Sequence, residues 1–256
     1  MISAVDLSIL WPAFLAGLLV TATHVPLGIQ VLNRGIVFID LAIAQIAGLG
    51  VILADWSGFE PQGWGVQASA LAAAIAGALL LTWTEKHWPE VQEAIIGTIF
   101  ILAASGALLV LASNPHGAEH MKDMLLGQIL WVSPSRLWPV AIAYALILAI
   151  WFALGERCGR IGFYLLFACA VTVSVQLVGL YLVFATLIVP ALATRRYTRH
   201  RVAVGYAVGA AGYALGLVVS AWTDRPSGPA VVWTMAALGL ALFALDWRRR
   251  ALPEPG

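Results

Sequence analysis

A polar stretch near the middle of the chain carries residue types that bind metal ions. Residues 114–123 read NPHGAEHMKD, with His116 and His120 four positions apart. Side chains four residues apart share one face of a helix, so these two imidazoles could bind the same ion. Glu119 and Asp123 add carboxylates, and imidazole with carboxylate suits Zn(II), Mn(II) or Fe(II). The alternative interpretation is a solvated polar loop with no ligand.

Two ionisable residues lie inside apolar runs, where charged groups are costly and often functional. Asp40 stands six residues beyond Arg34, about 9 Å along a helix, so it is either a pathway residue, supported by Gln45, or an anchor at the membrane surface that pairs with Arg34. His24 is either a pathway ligand for a metal ion or a neutral group that hydrogen-bonds between helices. Both interpretations of each residue stay open at this point.

The sequence lacks the signatures of nucleotide hydrolysis and of common hydrolases. Its two lysines, Lys86 and Lys122, neither follow a glycine nor precede a serine or threonine, so there is no phosphate-binding P-loop. The patterns HExxH and GxSxG are also absent. We therefore expect no catalytic residues and no permanently bound cofactor, and any ATPase that drives this protein must be another chain.

The composition indicates a protein embedded in a lipid bilayer. Of 256 residues, 61% are hydrophobic and 11% are charged, whereas a soluble domain has about 45–50% apolar and about 25% charged residues. The net charge of +1 gives no reason to expect nucleic acid as a partner. At about 20 residues a crossing, the length predicts an all-α polytopic membrane protein with a single transmembrane domain over residues 1–256.

Apolar runs bounded by charges or turn residues predict eight to nine transmembrane helices, with nine as the preferred number. The predicted spans are 9–32, 36–54, 66–84, 94–113, 137–154, two passes within 161–194, 202–222 and 229–245. The two passes within 161–194 are separated by a tight turn at 176–179. Residues 124–132 are apolar but too short to cross as a helix, and we expect a re-entrant segment there.

Arginine and lysine positions predict the orientation, because cytoplasmic loops carry an excess of both. The residues expected on the cytoplasmic side are Arg34, Lys86, Arg157, Arg160, the arginines of 195–201 and those of 248–250 at the C-terminus. The N-terminus and the loops 55–65 and 114–123 then lie outside. A full crossing at 124–132 would instead place Arg34 and Lys86 outside.

Four stretches, in order, resemble the permease subunits of the ABC-3 family, the zinc, manganese and iron uptake ABC transporters. They are IGTIF at 96–100 with GALL at 106–109, LLGQILWVS at 125–133, VGLYLV at 178–183 with LIVPA at 187–191, and DRPSGPAVV at 224–232. The resemblance extends from about Gly28 to Leu245. The four stretches together, rather than any one of them, carry it.

The resemblance implies a multi-pass permease in the inner membrane of a prokaryote. It implies a second copy of the chain as partner, cytoplasmic ABC ATPase subunits, and an extracytoplasmic metal-binding protein that delivers a divalent metal ion. The ion is the substrate and crosses at the dimer interface by alternating access. The Val178–Gly179 turn and the short helix up to Pro190 are implied to lie in the permease interior.

Two departures from the family pattern affect the implied site and its coupling. Family members usually carry Asp-x-x-x-His in the second span, but alignment on Gly50 places Leu41 and Gln45 at those positions, with Asp40 one residue off. The cytoplasmic segment that docks on the ATPase is reduced here to residues 155–160. Coupling would then use this turn, the 85–93 loop or the 195–201 loop, unless the ATPase contact has changed or been lost.

These observations favour import of a divalent metal ion by an ABC permease. The ion would be received near His116, Glu119, His120 and Asp123 and would pass His24 and Asp40. The alternative is an ATP-independent channel or secondary carrier on the same scaffold. A membrane enzyme or assembly factor would need a catalytic constellation that the sequence does not contain.

Overall fold

The computed structural model describes residues 7–60, 63–111, 129–154, 157 and 159–251, with the backbone alone at 7 and 246–251. These ranges contain nine α-helices and no β-strand. The helices are α1 Leu7–Arg34, α2 Ile39–Trp56, α3 Trp64–His87, α4 Gln92–Leu111, α5 Pro134–Leu154, α6 Gly159–Val178, α7 Leu180–Ala193, α8 Arg201–Thr223 and α9 Ser227–Ala251. The predicted all-α class is confirmed.

The helices follow the apolar runs closely, because in a bilayer each backbone N–H and C=O must be satisfied within its own helix. Eight segments in the described ranges are long and apolar enough to cross a membrane. These segments include every predicted span outside 161–194. The first segment, α1, contains Pro12 and Pro26. The short polar links between the runs are where helices end.

The apolar run at 161–194 divides into α6 and α7 at Gly179, as the sequence predicts. Gly179 has φ +85°, a left-handed conformation that favours glycine, and it precedes the first residue of α7. However, α7 has only 14 residues, about 21 Å of helix, less than the roughly 30 Å hydrocarbon core. The ninth predicted pass is therefore a short helix, because Gly179 limits it at one end and Thr194-Arg195 limit it at the other.

Helix α1 lies at the centre of the bundle. It contacts α5, α6, α7 and α8, while α2 packs against α3, α4 and α6, and α9 packs against α7 and α8. All residues from 23 to 28 are buried. The middle of α1 is therefore surrounded by protein rather than by lipid.

Glycines allow α1 to approach its neighbours closely, as is common between membrane helices. A Cβ built on Gly28 would overlap the carbonyl oxygen of Leu187, so the backbones of α1 and α7 are in direct contact. On α8, Gly209 faces Thr21 of α1, and Gly216 faces Val231 of α9. Small residues thus set the spacing of the helices around α1.

Several basic residues meet at one end of the bundle. Arg34 and Arg160 both form ion pairs with Glu85. Arg201 donates a hydrogen bond to the Asn33 side chain. The Arg196 guanidinium lies 5.0 Å from the ring centroid of Phe243. These contacts bring ends of α1, α3, α6, α8 and α9 together. The sequence predicts that these basic residues lie on the same side of the membrane, and their location at one end of the bundle agrees with this. That this side is the cytoplasmic one stays a prediction.

The predicted re-entrant segment at 124–132 is described only from residue 129. Ile129–Trp131 form a single 3₁₀ turn, in which Ile129 is buried and Trp131 is exposed. The turn contacts α1 and α9. Residues 124–128 lie outside the described part of the chain.

Candidate functional site

The imidazole of His24 is held by hydrogen bonds within α1. Its Nδ1 lies 3.0 Å from the carbonyl oxygen of Val20 and 2.9 Å from the hydroxyl oxygen of Thr23. A carbonyl oxygen only accepts, so we assign the hydrogen of the neutral ring to Nδ1. The Nε2 atom then carries a free lone pair.

That Nε2 atom is fully buried and has no hydrogen-bond partner among the residues that the structure describes. A metal-binding histidine typically donates its other ring N–H to a carbonyl group, which fixes the ring and leaves the opposite nitrogen as the ligand. His24 has this arrangement. The alternative interpretation as a hydrogen bonder between helices is not supported, because both bonds of the ring stay on α1.

Asp40 is the second residue of α2 and is fully buried. Its Oδ1 accepts the N–H of Leu41 at 2.8 Å, whereas its Oδ2 has no hydrogen-bond partner in the described part of the chain. The N-terminal end of a helix favours a negative charge, which explains this position in part. The predicted pairing with Arg34 is not formed, because Arg34 pairs with Glu85 at 3.9 Å instead.

His24 and Asp40 do not form a complete metal centre in one chain. Within the described ranges, no three His, Cys, Asp or Glu residues are close enough to hold an ion together. The predicted ligands His116, Glu119, His120 and Asp123 lie outside the described residues. Gln45, which replaces the family histidine, is buried on α2.

A buried amide cluster at the end of α3 was not singled out from the sequence. The Gln92 amide nitrogen donates to the carbonyl oxygen of Leu81 at 3.0 Å and to the Tyr164 hydroxyl at 3.4 Å. The Thr84 hydroxyl donates to the Gln92 amide oxygen at 3.0 Å. The available signal was a polar pair, Gln92-Glu93, at the start of an apolar run, which we interpreted as part of a loop.

Charged residues extend this cluster to α1 and α2 and add a second contact to α6. The Glu85 carboxylate forms two ion pairs: its Oε1 lies 3.9 Å from a guanidinium nitrogen of Arg34 on α1, and its Oε2 lies 3.6 Å from Nε of Arg160 on α6. The Arg34 guanidinium also lies 4.4 Å from the centroid of the Phe163 ring. Glu93 accepts the N–H of Phe38, just before α2, at 3.2 Å. The α3–α4 link is therefore connected to α1, α2 and α6.

Two buried hydroxyl pairs join α5 to α6 and α7 to α8. Tyr144 of α5 bonds Ser174 of α6, and Tyr213 of α8 bonds Thr186 of α7 at 2.9 Å. Buried polar groups need such partners. These four groups satisfy one another, so we assign them a structural role.

The chain belongs to the ABC 3 transport family, whose model matches residues 6–157 and 153–246. It is therefore a membrane-embedded subunit of the ABC transport class. The predicted family is confirmed, and the two matched segments together extend from α1 into α9.

Individual relatives and a solved structure agree with this family over nearly the whole chain. A membrane protein of Synechocystis sp., named only as uncharacterized, is 27% identical over 97% of this chain and 94% of its own length. The high-affinity zinc uptake system membrane protein ZnuB of Haemophilus influenzae is 24% identical over 92% of this chain and 97% of its own. The structure of PsaBC from Streptococcus pneumoniae in complex with Fab has a TM-score of 0.76 at 19% identity, covering 95% of this chain and 94% of that one, and supports the fold.

Proposed function

We propose that this chain is the permease subunit of an ABC importer for a divalent metal ion of the zinc, manganese or iron class. The observation that carries this proposal is the buried Nε2 of His24 in a chain of this family: the ring is held through its Nδ1, and Nε2 has no hydrogen-bond partner among the described residues. The name of the Haemophilus relative, a zinc uptake protein, supports the same class of cargo. The metal is cargo rather than a resident cofactor.

The proposed assembly contains two copies of the permease, cytoplasmic ATPase subunits and an extracytoplasmic metal-binding protein. Residues 1–256 act as one transmembrane domain, in the inner membrane of a prokaryote, with the C-terminus in the cytoplasm. ATP hydrolysis is assigned to the separate subunits because the chain has no P-loop pattern. The permease itself supplies ligands and gates rather than catalysis.

The proposed pathway has weak, successive ligands rather than one tight site. The loop residues His116, Glu119, His120 and Asp123 receive the ion, and His24 and Asp40 line its passage. A structural zinc site uses four protein ligands, whereas His24 offers one nitrogen. A sparse ligand set suits transport, because an ion that binds too tightly is not released.

Uptake of radioactive zinc, manganese and iron tests the proposal, in cells that lack the chromosomal copy and carry this chain on a plasmid. The expected result is uptake of at least one of these metals that requires the chain. The decisive companion measurement uses proteoliposomes with and without the co-purified ATPase. Transport that needs both the ATPase and ATP supports the proposal.

Transport without ATP would instead favour a channel or secondary carrier. Two sequence observations motivate that second candidate. The family's Asp-x-x-x-His pair is replaced by Leu41 and Gln45, and the segment that docks on the ATPase is reduced to residues 155–160.

A further inference from the structure

We propose that the turn at residues 86–91, which comprises the last two residues of α3 and the link to α4, is the surface on which the cytoplasmic ATPase docks. We further propose that Glu85, Gln92 and Glu93 transmit movement of this turn to α1, α2 and α6. The proposal rests on the proposed function, since it needs an ATPase partner. It assigns the coupling role that the reduced 155–160 segment leaves open.

The turn is the exposed part of an otherwise buried connection. Every residue from 86 to 91 is exposed, whereas Thr84 and Gln92 on either side are buried. Pro89–Val91 form a short 3₁₀ helix at its tip. The turn thus protrudes from the bundle while both of its ends are fixed inside it.

The turn, together with Trp83 just before it on α3, presents aromatic and aliphatic surface of the kind found at protein interfaces. Trp83, Trp88 and Val91 are 50%, 44% and 47% exposed. The rings of Trp83 and His87 have centroids 4.8 Å apart, and those of Trp83 and Trp88 are 5.1 Å apart. Tryptophan anchors are enriched in interface hot spots.

Three side chains brace the turn against helices other than its own. Gln92 donates to Tyr164 of α6, and Glu93 accepts from the N–H of Phe38 at the start of α2. Glu85 contacts Arg34 of α1 and Arg160 of α6. A solvated loop needs no such bracing, whereas a loop that moves the transmembrane helices requires it.

The turn also lies on the side where the ATPase must bind. Its neighbour Glu85 meets Arg34 and Arg160, at the end of the bundle that the distribution of arginines assigns to the cytoplasm. Any ATP-hydrolysing partner contacts the permease from that side. The competing surface at the same end is the loop 195–200, in which Arg195 and Arg199 are exposed.

The membrane surface is the other class of partner that tryptophans could contact. The charges of the turn do not favour it, because exposed Glu90 offsets exposed Lys86 and leaves no net positive charge on residues 86–91 to attract an anionic leaflet. The bracing argues against it as well. A residue that only anchors in lipid does not need to be coupled to three other helices.

Photo-crosslinking in cells tests the docking surface. A benzophenone amino acid replaces Glu90, with Arg199 as the competing position and Trp64, 90% exposed at the other end of α3, as the control. The expected result is a cross-link from position 90 to a chain that mass spectrometry shows to contain a P-loop, and no such cross-link from position 64. A P-loop chain captured only from position 199, or only lipid captured from position 90, overturns the proposal.

The transmission role is tested with Glu85→Gln in the purified permease–ATPase complex. We expect the ATPase to co-purify as before and ATP hydrolysis to persist. Metal transport should fall about tenfold, a factor typical of allosteric coupling between two sites. Arg199→Gln, which removes a charge at the same end, is the matched control and should leave transport unchanged. Unchanged transport in Glu85→Gln, or loss of ATPase binding, contradicts the transmission role.

These experiments separate failure of this proposal from failure of the proposed function. If the ATPase co-purifies and drives transport but does not cross-link from position 90, only the docking surface is wrong. If no ATPase is captured at any position and transport proceeds without ATP, the importer function itself is wrong.

Discussion

His24 has two ring nitrogens with different environments, and each can be tested separately. Asparagine places its amide nitrogen near the position of Nδ1, so His24→Asn can keep the bond to the Val20 carbonyl group while it removes Nε2. Glutamine reaches the position of Nε2. If Nε2 is the ligand, we expect His24→Asn to lose metal uptake by about 10-fold or more, and His24→Gln to retain part of it. Uptake of radioactive metal at limiting concentration measures both.

The control for His24 is His200→Asn. His200 is exposed and has φ +59°, a conformation that asparagine tolerates well, so this variant should transport normally. If His24→Asn transports like the parent while His24→Gln does not, the Nδ1 bond matters and the ligand role of Nε2 is wrong.

The loop 114–123, which the sequence predicts to lie outside, gives a second prediction. A double variant, His116→Ala with His120→Ala, should lose uptake at limiting metal, because it removes both imidazoles of the predicted receiving site. Uptake should recover in part at high external metal, since capture rather than passage is impaired. Normal uptake at limiting metal would remove this loop from the mechanism.

The burial of His24 and Asp40 could be predicted because each is a rare ionisable residue within an apolar run, and both are fully buried. The ion pairs of Glu85 could not be predicted, because its partners Arg34 and Arg160 are far away in the chain. A charged residue at the end of a span resembles any surface charge until its neighbours are known.

Contact between α1 and α7 depends on the absence of a side chain at Gly28. We expect Gly28→Ala to reduce the free energy of unfolding by about 1–3 kcal/mol, the usual cost of overpacking, because its Cβ would overlap the Leu187 carbonyl group. The midpoint of thermal unfolding of the purified protein in detergent measures the change.

Gly97 on α4 is the matched control for this packing prediction. A Cβ on Gly97 meets nothing within 4 Å, so Gly97→Ala should be neutral or stabilising by up to about 1 kcal/mol through helix propensity. Equal destabilisation by the two substitutions would show that close packing of α1 on α7 is not the cause.

Helix positions could be predicted from the sequence because each apolar run needs only local information. The turn at Gly179 was also predicted, since glycine in a long apolar run is a natural place for a left-handed residue. The apolar run alone predicted a second full pass, and only the family resemblance implied a short helix up to Pro190. Hydrophobicity alone shows how many residues can be buried, but not whether a helix is surrounded by protein and can therefore stop short of a full crossing.

The whole bundle should have a single orientation in the membrane. In a background with Cys158→Ser and Cys169→Ser, we introduce Trp64→Cys or Arg199→Cys at opposite ends of the molecule. A membrane-impermeant maleimide added to intact spheroplasts should label only the first, because the arginine-rich end is predicted to be cytoplasmic. Labelling of Arg199→Cys alone would invert the topology.

Long-range arrangement is the part that the sequence did not provide. The predicted spans contained no signal that α1 is central, or that α2 packs with α3, α4 and α6 while α7 packs with α8 and α9. The glycines that set this arrangement, such as Gly28 and Gly209, are common in membrane helices and become informative only once their neighbours are known.

The ion pairs of Glu85 have a consequence for how the protein is made. Fifty-one positions separate Arg34 from Glu85 (85 − 34 = 51), so at about 5–20 residues per second the ribosome needs roughly 3–10 s between them. During that interval Arg34 has no carboxylate from α3 to neutralise it and can act at full strength as an orientation signal for α1. Arg34 would therefore first help to orient the nascent chain. Once α3 has been inserted beside it, the same residue forms the ion pair with Glu85 in the finished bundle.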